Sequence, residues 1–237
     1  MLAMLPLLAG AAAVVYAGYA SMSPGSQLYG RTFVRGRRGS RQIALTFDDG
    51  PNDPHTLHLL DILARHQVQA TFFMIGRYVR EQPRIARAVA DAGHVIGNHT
   101  DTHPNLIGCT SAQVDGQLDE CESALSDAVG SHSRLFRPPF GGRLPHVLHT
   151  VRRRGMEPVM WSISSCDWNL PTADAIERRV ARRIHGGDVV LMHDGGHRQM
   201  GTFRGHTVEA AERLIQRFKR EGFKFVTIPE MLDEQKR

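Results

Sequence analysis

From Arg41 onward, short apolar runs alternate with amphipathic stretches, and nothing else in the sequence limits the fold as tightly. The runs Ile43–Phe47, Ala70–Met74, His94–Asn98, Leu135–Arg137, Pro158–Trp161, Asp188–Met192 and Lys224–Thr227 have the length and composition of strands. Between them, the spacing of apolar residues predicts helices over Pro83–Ala92, Ser111–Val129, Leu144–Arg154, Thr172–His185 and Thr207–Glu221. Another helix is predicted after the first run, with Asp53 as its cap, Pro54 in its first turn and Leu57, Leu60 and Leu63 on one face. Strands separated by helices pair in parallel, because a parallel connection needs a crossover long enough to hold a helix. Seven of them suit a barrel better than an open sheet, so the expected class is α/β, a seven-stranded parallel (β/α) barrel. A chain of 237 residues with 41% hydrophobic content fits one such domain, and it has no internal repeat.

Residues 1–20 carry no charged side chain and read as an export signal or a membrane anchor, which places the domain in the cell envelope or outside the cell. Residues 21–40, rich in Gly, Ser and Arg and without periodicity, read as a linker, which leaves 41–237 as the catalytic domain. If the apolar stretch were a permanent anchor, Arg31, Arg35, Arg37 and Arg38 behind it would favour the opposite orientation. The formal charge of +5 suits an anionic surface or merely a soluble one. Nucleic acid is not an expected partner, because the arginines are scattered and no zinc-finger pattern is present. Cys109, Cys121 and Cys166 lack zinc-site spacing; a Cys109–Cys121 disulfide and three reduced thiols are both open.

Polar clusters mark the C-terminal ends of the predicted strands. Asp48 and Asp49 follow the first, His99 and His103 the third, Arg137 to Phe140 the fourth, Asp167 and Trp168 the fifth, and His193 and Asp194 the sixth. In a parallel barrel those ends share one rim, where active sites are built, so the clusters should meet. Asp48-Asp49-Gly50-Pro51 on its own is an ordinary surface turn, but behind a buried strand it can aim two carboxylates into one pocket. Adjacent carboxylates repel unless a cation or proton intervenes, which suits one to a metal and the other to proton transfer. His99 and His103 with one carboxylate would make a three-ligand site with an open position. His55, His58, His66, His132, His146, His149, His185 and His206 are expected at the surface, and His197 is left unassigned.

The segments Thr46–Pro51, His99–Pro104, Arg137–Phe140, Asp167-Trp168 and Leu191–Asp194 resemble the five ordered motifs of the polysaccharide deacetylases, carbohydrate esterase family four. That resemblance implies a distorted seven-stranded barrel holding one divalent metal, usually zinc, with cobalt or another divalent ion as alternatives. It implies that Asp49, His99 and His103 hold the metal, that Asp48 is the base and that His193 is the acid protonating the departing amine. Arg137 would orient Asp48 and favour its charged form, and Asp167 would orient His193 and raise its pKa. The Phe140 backbone N–H would receive the oxyanion, while Trp168 and Leu191 would wall the acetyl pocket. The implied reaction removes N-acetyl groups from N-acetylglucosamine-type sugars of a polysaccharide such as chitin oligomers or peptidoglycan. Ser164 stands where the family usually has an aspartate, which bears on the shape of that loop. Alternatives are an O-acetyl esterase or lipid-linked sugar deformylase, a non-catalytic carbohydrate-binding barrel, and an iron oxygenase with the same ligand set.

Overall fold

The computed structural model describes residues 14–235. Its centre is a curled half-barrel of parallel strands in the order β5-β4-β3-β2-β1-β7-β6, formed by β1 (Gln42–Gly50), β2 (Thr71–Met74), β3 (Val95–Asn98), β4 (Leu135–Phe136), β5 (Glu157–Pro158), β6 (Ile163–Ser164) and β7 (Asp188–His193). A further short strand, β8 (Lys224–Phe225), pairs with the start of β1. The predicted distorted parallel barrel is therefore the observed fold. Two-residue β6 was not expected; the run predicted over Pro158–Trp161 is β5 and the chain leaving it.

Residues 14–22 are helical (α1). The other helices are α2 (His55–Arg65), α3 (Gly76–Glu81), α4 (Pro83–Asp91), α5 (Ser111–Val129), α6 (Pro145–Arg153), α7 (Ala173–Ala181), α8 (Gly205–Arg220) and α9 (Ile228–Gln235). The longest, α5, starts on a capping box between Thr110 and Gln113 and stops at Gly130, whose φ of 73° suits a residue without Cβ. For α2 the sequence reading needs correction. Pro54 rather than Asp53 precedes it, no side chain caps it, and Leu57 is 38% exposed. Leu57, Leu60 and Leu63 at a strict spacing of three drift around the helix, whereas Leu59, Ile62 and Leu63 form the buried face.

Strand alternation divides the core into two layers. Ile43, Leu45 and Phe47 of β1 face outward into a cluster with Leu59 and Leu63 of α2 and Leu214 and Ile215 of α8. Ala44 faces the barrel lumen with Phe73, Val159 and Val189. This parity sends every second residue of the central strands towards the lumen, and the polar residues at the strand ends inherit it.

The stretch read as a linker is laid against the barrel. Phe33 is buried and pairs with Val159, its N–H donating to Pro158 O at 2.8 Å and its carbonyl accepting from Met160 N–H at 2.7 Å. Gly36 N–H donates to Gly187 O, and Arg35 bridges to Asp188. The segment thereby joins β5 and β7, on the side where the path's two end strands are not paired with each other. Most of 1–20 lies outside the described residues; Val14, Val15, Tyr16 and Tyr19 of α1 are exposed. Among the described residues, no helix is long and apolar enough to cross a membrane. All three cysteines are free, and Cys121 is fully buried.

Candidate metal and catalytic site

Asp48 reaches the site by strand parity, two residues beyond Thr46 on the lumenal face of β1. Asp49 should then point outward with Phe47. It does not, because its φ is 72° and the β1–β2 register shifts between Asp48 and Gly50, so the extra residue turns inward. Six non-glycine residues among those described have positive φ, and five of them (Asp49, Thr100, His103, Phe140 and Cys166) lie in the strand ends and loops that carry the site. Each such conformation costs on the order of 1–3 kcal/mol and persists only where the surroundings enforce it.

His99 continues the lumenal face of β3 after Gly97. Its Nδ1 lies 2.7 Å from the Arg137 carbonyl, which can only accept, so Nδ1 carries the proton and Nε2 presents a lone pair. The left-handed turn at His103 is tied by its N–H donating to Thr100 Oγ1 at 3.1 Å. Asp49 Oδ1 lies 3.6 Å from His99 Nε2 and 3.2 Å from His103 Nε2, and one ligand atom from each of the three falls within 4.8 Å of the others. All three residues are buried, and Asp49 Oδ1 has no hydrogen-bond partner. Burial holds His99 down to about 4 and His103 down to about 3, so both imidazoles are neutral near pH 7. Burial also pushes the Asp49 carboxyl upward, but His197, His193, His103 and His99 outweigh it and leave the pKa well below the usual carboxylate range. Two neutral imidazoles and an ionised carboxylate around an unpartnered oxygen are the donor set a divalent ion such as zinc takes.

Asp48 stands beside this cluster, its Oδ2 3.7 Å from His99 Nε2. Its Oδ1 accepts from Arg137 Nη1 at 2.7 Å. The buried Arg137 also donates to Thr46 Oγ1 and to the Val159 and Met160 carbonyls, and its guanidinium lies 4.1 Å from the centre of the Phe73 ring. Arg137 pulls the Asp48 pKa down, as the sequence reading anticipated, yet burial is the larger effect and the net shift is upward. Across the β1–β7 ladder, Asp48 is the register partner of His193. His193 Nδ1 meets Asp167 Oδ1 at 2.7 Å, and its backbone N–H donates to Asp167 Oδ2 at 2.7 Å. Burial opposes the charged imidazole, but Asp167 and then Asp49 and Asp48 overcome it and raise His193 to about 9.

The remaining predicted residues lie on the same rim or just beneath it. Phe140 is half-exposed, with φ 58°, its ring edge-on to His103 at 4.6 Å. Trp168 is also half-exposed and sits edge-on to His193 at 5.2 Å. Leu191 is buried on β7, two residues before His193 and on the same face. Ser164, at the position where an aspartate was expected, accepts the Cys166 N–H and shapes that turn. Sequence reasoning left several neighbours without a role. Thr46 links Arg137 to the Val190 carbonyl, and Thr207 donates to Asp167 Oδ2 at 2.9 Å. Asp194, buried and raised by that burial to about 7, accepts from Thr56 Oγ1. His197 approaches Asp49. Strand parity could have found Thr46, and Asp194 follows the sixth predicted strand, whereas Thr207 in α8 and His197 in the loop after β7 leave no strand-end signal. His55, expected at the surface, is buried with its ring edge-on to Phe203.

The chain matches the polysaccharide deacetylase family over residues 35–159. It is 38% identical to a chitooligosaccharide deacetylase of Sinorhizobium fredii, over 85% of this chain and 97% of the relative. It is 36% identical to a peptidoglycan-N-acetylglucosamine deacetylase of Bacillus cereus, over 82% of this chain and 70% of the relative. Among solved structures, a carbohydrate esterase family 4 pseudoenzyme from Bacillus anthracis superposes with a TM-score of 0.79 and 33% identity, covering 86% of this chain and 69% of that one. A half-barrel of this topology, the clustered Asp49, His99 and His103, and relatives spanning most of the sequence lead to one assignment: the chain belongs to the polysaccharide deacetylase family.

Proposed function

We propose that the protein hydrolyses the acetamide of N-acetylglucosamine units in a chitin-like or peptidoglycan-type glycan, with one divalent ion, zinc or cobalt, held by Asp49, His99 and His103. One observation carries this reading: a carboxylate locked by arginine and an imidazole locked by aspartate face each other across two adjacent strands, beside that donor cluster. A divalent ion there supplies a Lewis acid and brings water ionisation towards neutral pH. Asp48 takes the proton of the attacking water. The oxyanion that develops on the carbonyl oxygen faces the backbone N–H of Phe140. The Nδ1 of His193 is held by Asp167, so Nε2 is the nitrogen that protonates the departing amine. One proton taken and one given balance the products, acetic acid and the free amine, which leave near neutral pH as acetate and an ammonium group. The presence of both Asp48 and His193 favours this reading over a non-catalytic barrel.

The test is acetate release from an N-acetylglucosamine pentamer by the full chain. A chelator and Asp49→Ala should each abolish it, and added zinc or cobalt should restore the chelated enzyme. Release that survives both treatments rejects the reading. A parallel screen over peptidoglycan fragments and acetylated xylan selects the polymer and separates amide from ester hydrolysis. We also propose that the protein is exported or tethered to the membrane through residues 1–20, which contain no charged side chain. Recovery of the full chain in the cytosolic fraction would refute that.

A further inference from the structure

The loop after β7 returns over the donor cluster and is held in place from three sides. Tyr78 Oη donates to the Gly196 carbonyl at 3.0 Å, and the neighbouring Arg77 guanidinium donates to the His197 carbonyl. Arg204 Nε donates to the Gly195 carbonyl at 2.6 Å. Asn52, from the turn that follows Asp49, donates to the carbonyls of Asp194 and Thr202 and accepts from Gly201 N–H. A Cβ at residue 195 would run into the Asp49 carbonyl, and glycine permits that approach.

This clamp sets the His197 imidazole parallel to that of His103, with centroids 4.6 Å apart at 21°, and edge-on to Phe140 at 5.1 Å. Its Nδ1 is 3.7 Å from Asp49 Oδ2. The Asp49 carboxylate is therefore divided: Oδ1 faces His99 and His103, while Oδ2 faces His197. His197 is not one of the donors that fall within 4.8 Å of each other, so its place is outside the ligand set. Metal-binding carboxylates hold their orientation through a hydrogen bond to the oxygen turned away from the ion, and loss of such a partner costs about 10–100-fold in affinity or activity. A charge-assisted bond of about 2.8 Å is within reach after roughly 1 Å of movement by an imidazole whose side chain is 33% exposed.

We infer that His197 is a positioning residue for the metal aspartate: its Nδ1–H holds Asp49 Oδ2, which keeps Oδ1 turned towards His99 and His103, and its ring covers His103. This rests on reading those three donors as a metal site. The experiment measures zinc affinity of the full chain by chelator competition, without substrate, for wild type, His197→Ala and His197→Gln. His197→Ala should weaken zinc binding about 10–100-fold, and His197→Gln, which keeps an N–H donor, should recover part of that loss. The absorption spectrum of the cobalt-loaded alanine variant should match wild type, because the ligand set is unchanged. Zinc affinity in His197→Ala within about twofold of wild type overturns the inference. So does a cobalt spectrum reporting a lost ligand, which would make His197 a direct donor. If His197→Ala does not fold, Arg77→Met, which leaves the His197 carbonyl with only the longer hydrogen bond from Tyr78 Oη but keeps the ring, should weaken zinc in the same direction; unchanged affinity there overturns it too. Failure of the deacetylase assay with zinc affinity behaving as stated would reject the proposed reaction and leave the role of His197 standing.

Discussion

Asp167 raises the His193 pKa to about 9 against the opposing effect of burial, so the imidazole is charged, and able to donate, across the neutral range. An acid that must be protonated is lost as pH rises through its pKa, which puts the alkaline limb of kcat/KM near pH 9. Asp167→Asn keeps a hydrogen-bond acceptor but removes the charge; the His193 pKa then falls, and the alkaline limb should move down by about one pH unit or more. A pH profile of the variant with its limb unmoved would show that Asp167 does not set the acid. At Asp48 the prediction is different in kind. Asp48→Asn still accepts from Arg137 but cannot take a proton, so turnover should fall about 10²–10⁴-fold while bound zinc per chain stays the same. Near-normal turnover would move the base elsewhere. Asp48, Asp49, His99 and His103 were legible in the sequence as residues placed after apolar runs. The inward turn of Asp49 was not, because it depends on a positive φ and a register shift that no residue pattern announces.

Among the elements, legibility followed length and parity. Every segment predicted as a strand overlaps one that forms, since a parallel strand buried on both faces in this fold reads as a short, nearly continuous apolar run. Strand β6 escaped notice because Ile163 is a lone apolar residue among Ser162, Ser164 and Ser165, and α3, which opens at Gly76, carries no side-chain cap to announce it. The pairing of β2 with β3 shows how one small residue serves the site. A Cβ at position 97 would overlap the Phe73 ring, and the same ring carries the Arg137 guanidinium at 4.1 Å. Gly97→Ala therefore forces Phe73 to shift in a packed lumen, at a cost of about 1–3 kcal/mol. Because Arg137 rides on that ring and locks Asp48, the variant should lose turnover as well as stability. Urea unfolding at wild-type strength together with unchanged kcat would show that the lumen absorbs the extra carbon.

For the whole molecule, the packed unit begins before the first strand of the barrel. Residues 21–40 read as a linker because the segment shows no apolar period, and the structure supplies the reason: backbone hydrogen bonds and a single buried ring, Phe33, hold it. A further attachment, beside those of Arg31, Arg35 and Arg37 to Arg152, Asp188 and Glu234, is Arg143, buried and without an acidic partner among the described residues. Arg143 Nη2 donates to the carbonyls of Ser23 and Ser26, Nη1 donates to the Gly141 carbonyl, and its backbone N–H donates to Ser21 O. Gly141 follows Phe140, so this arginine ties the N-terminal segment to the turn proposed to receive the oxyanion. Removing residues 1–36 would expose the lumenal seam that Phe33 covers and leave Arg143 with one of its three carbonyl acceptors. Uncovering one large apolar side-chain contact costs about 1.5–3 kcal/mol, and each buried donor left unpaired about 1–3 kcal/mol. Against a total stability of about 5–15 kcal/mol, that is a large share. A chain starting at Arg37 or later should therefore unfold at a lower temperature and turn over more slowly than the full chain. Arg143→Met, which leaves Phe33 in place, should reproduce more of the loss in kcat than of the loss in stability. A chain starting at Arg41 with the full chain's Tm and kcat would show that the barrel stands without this segment.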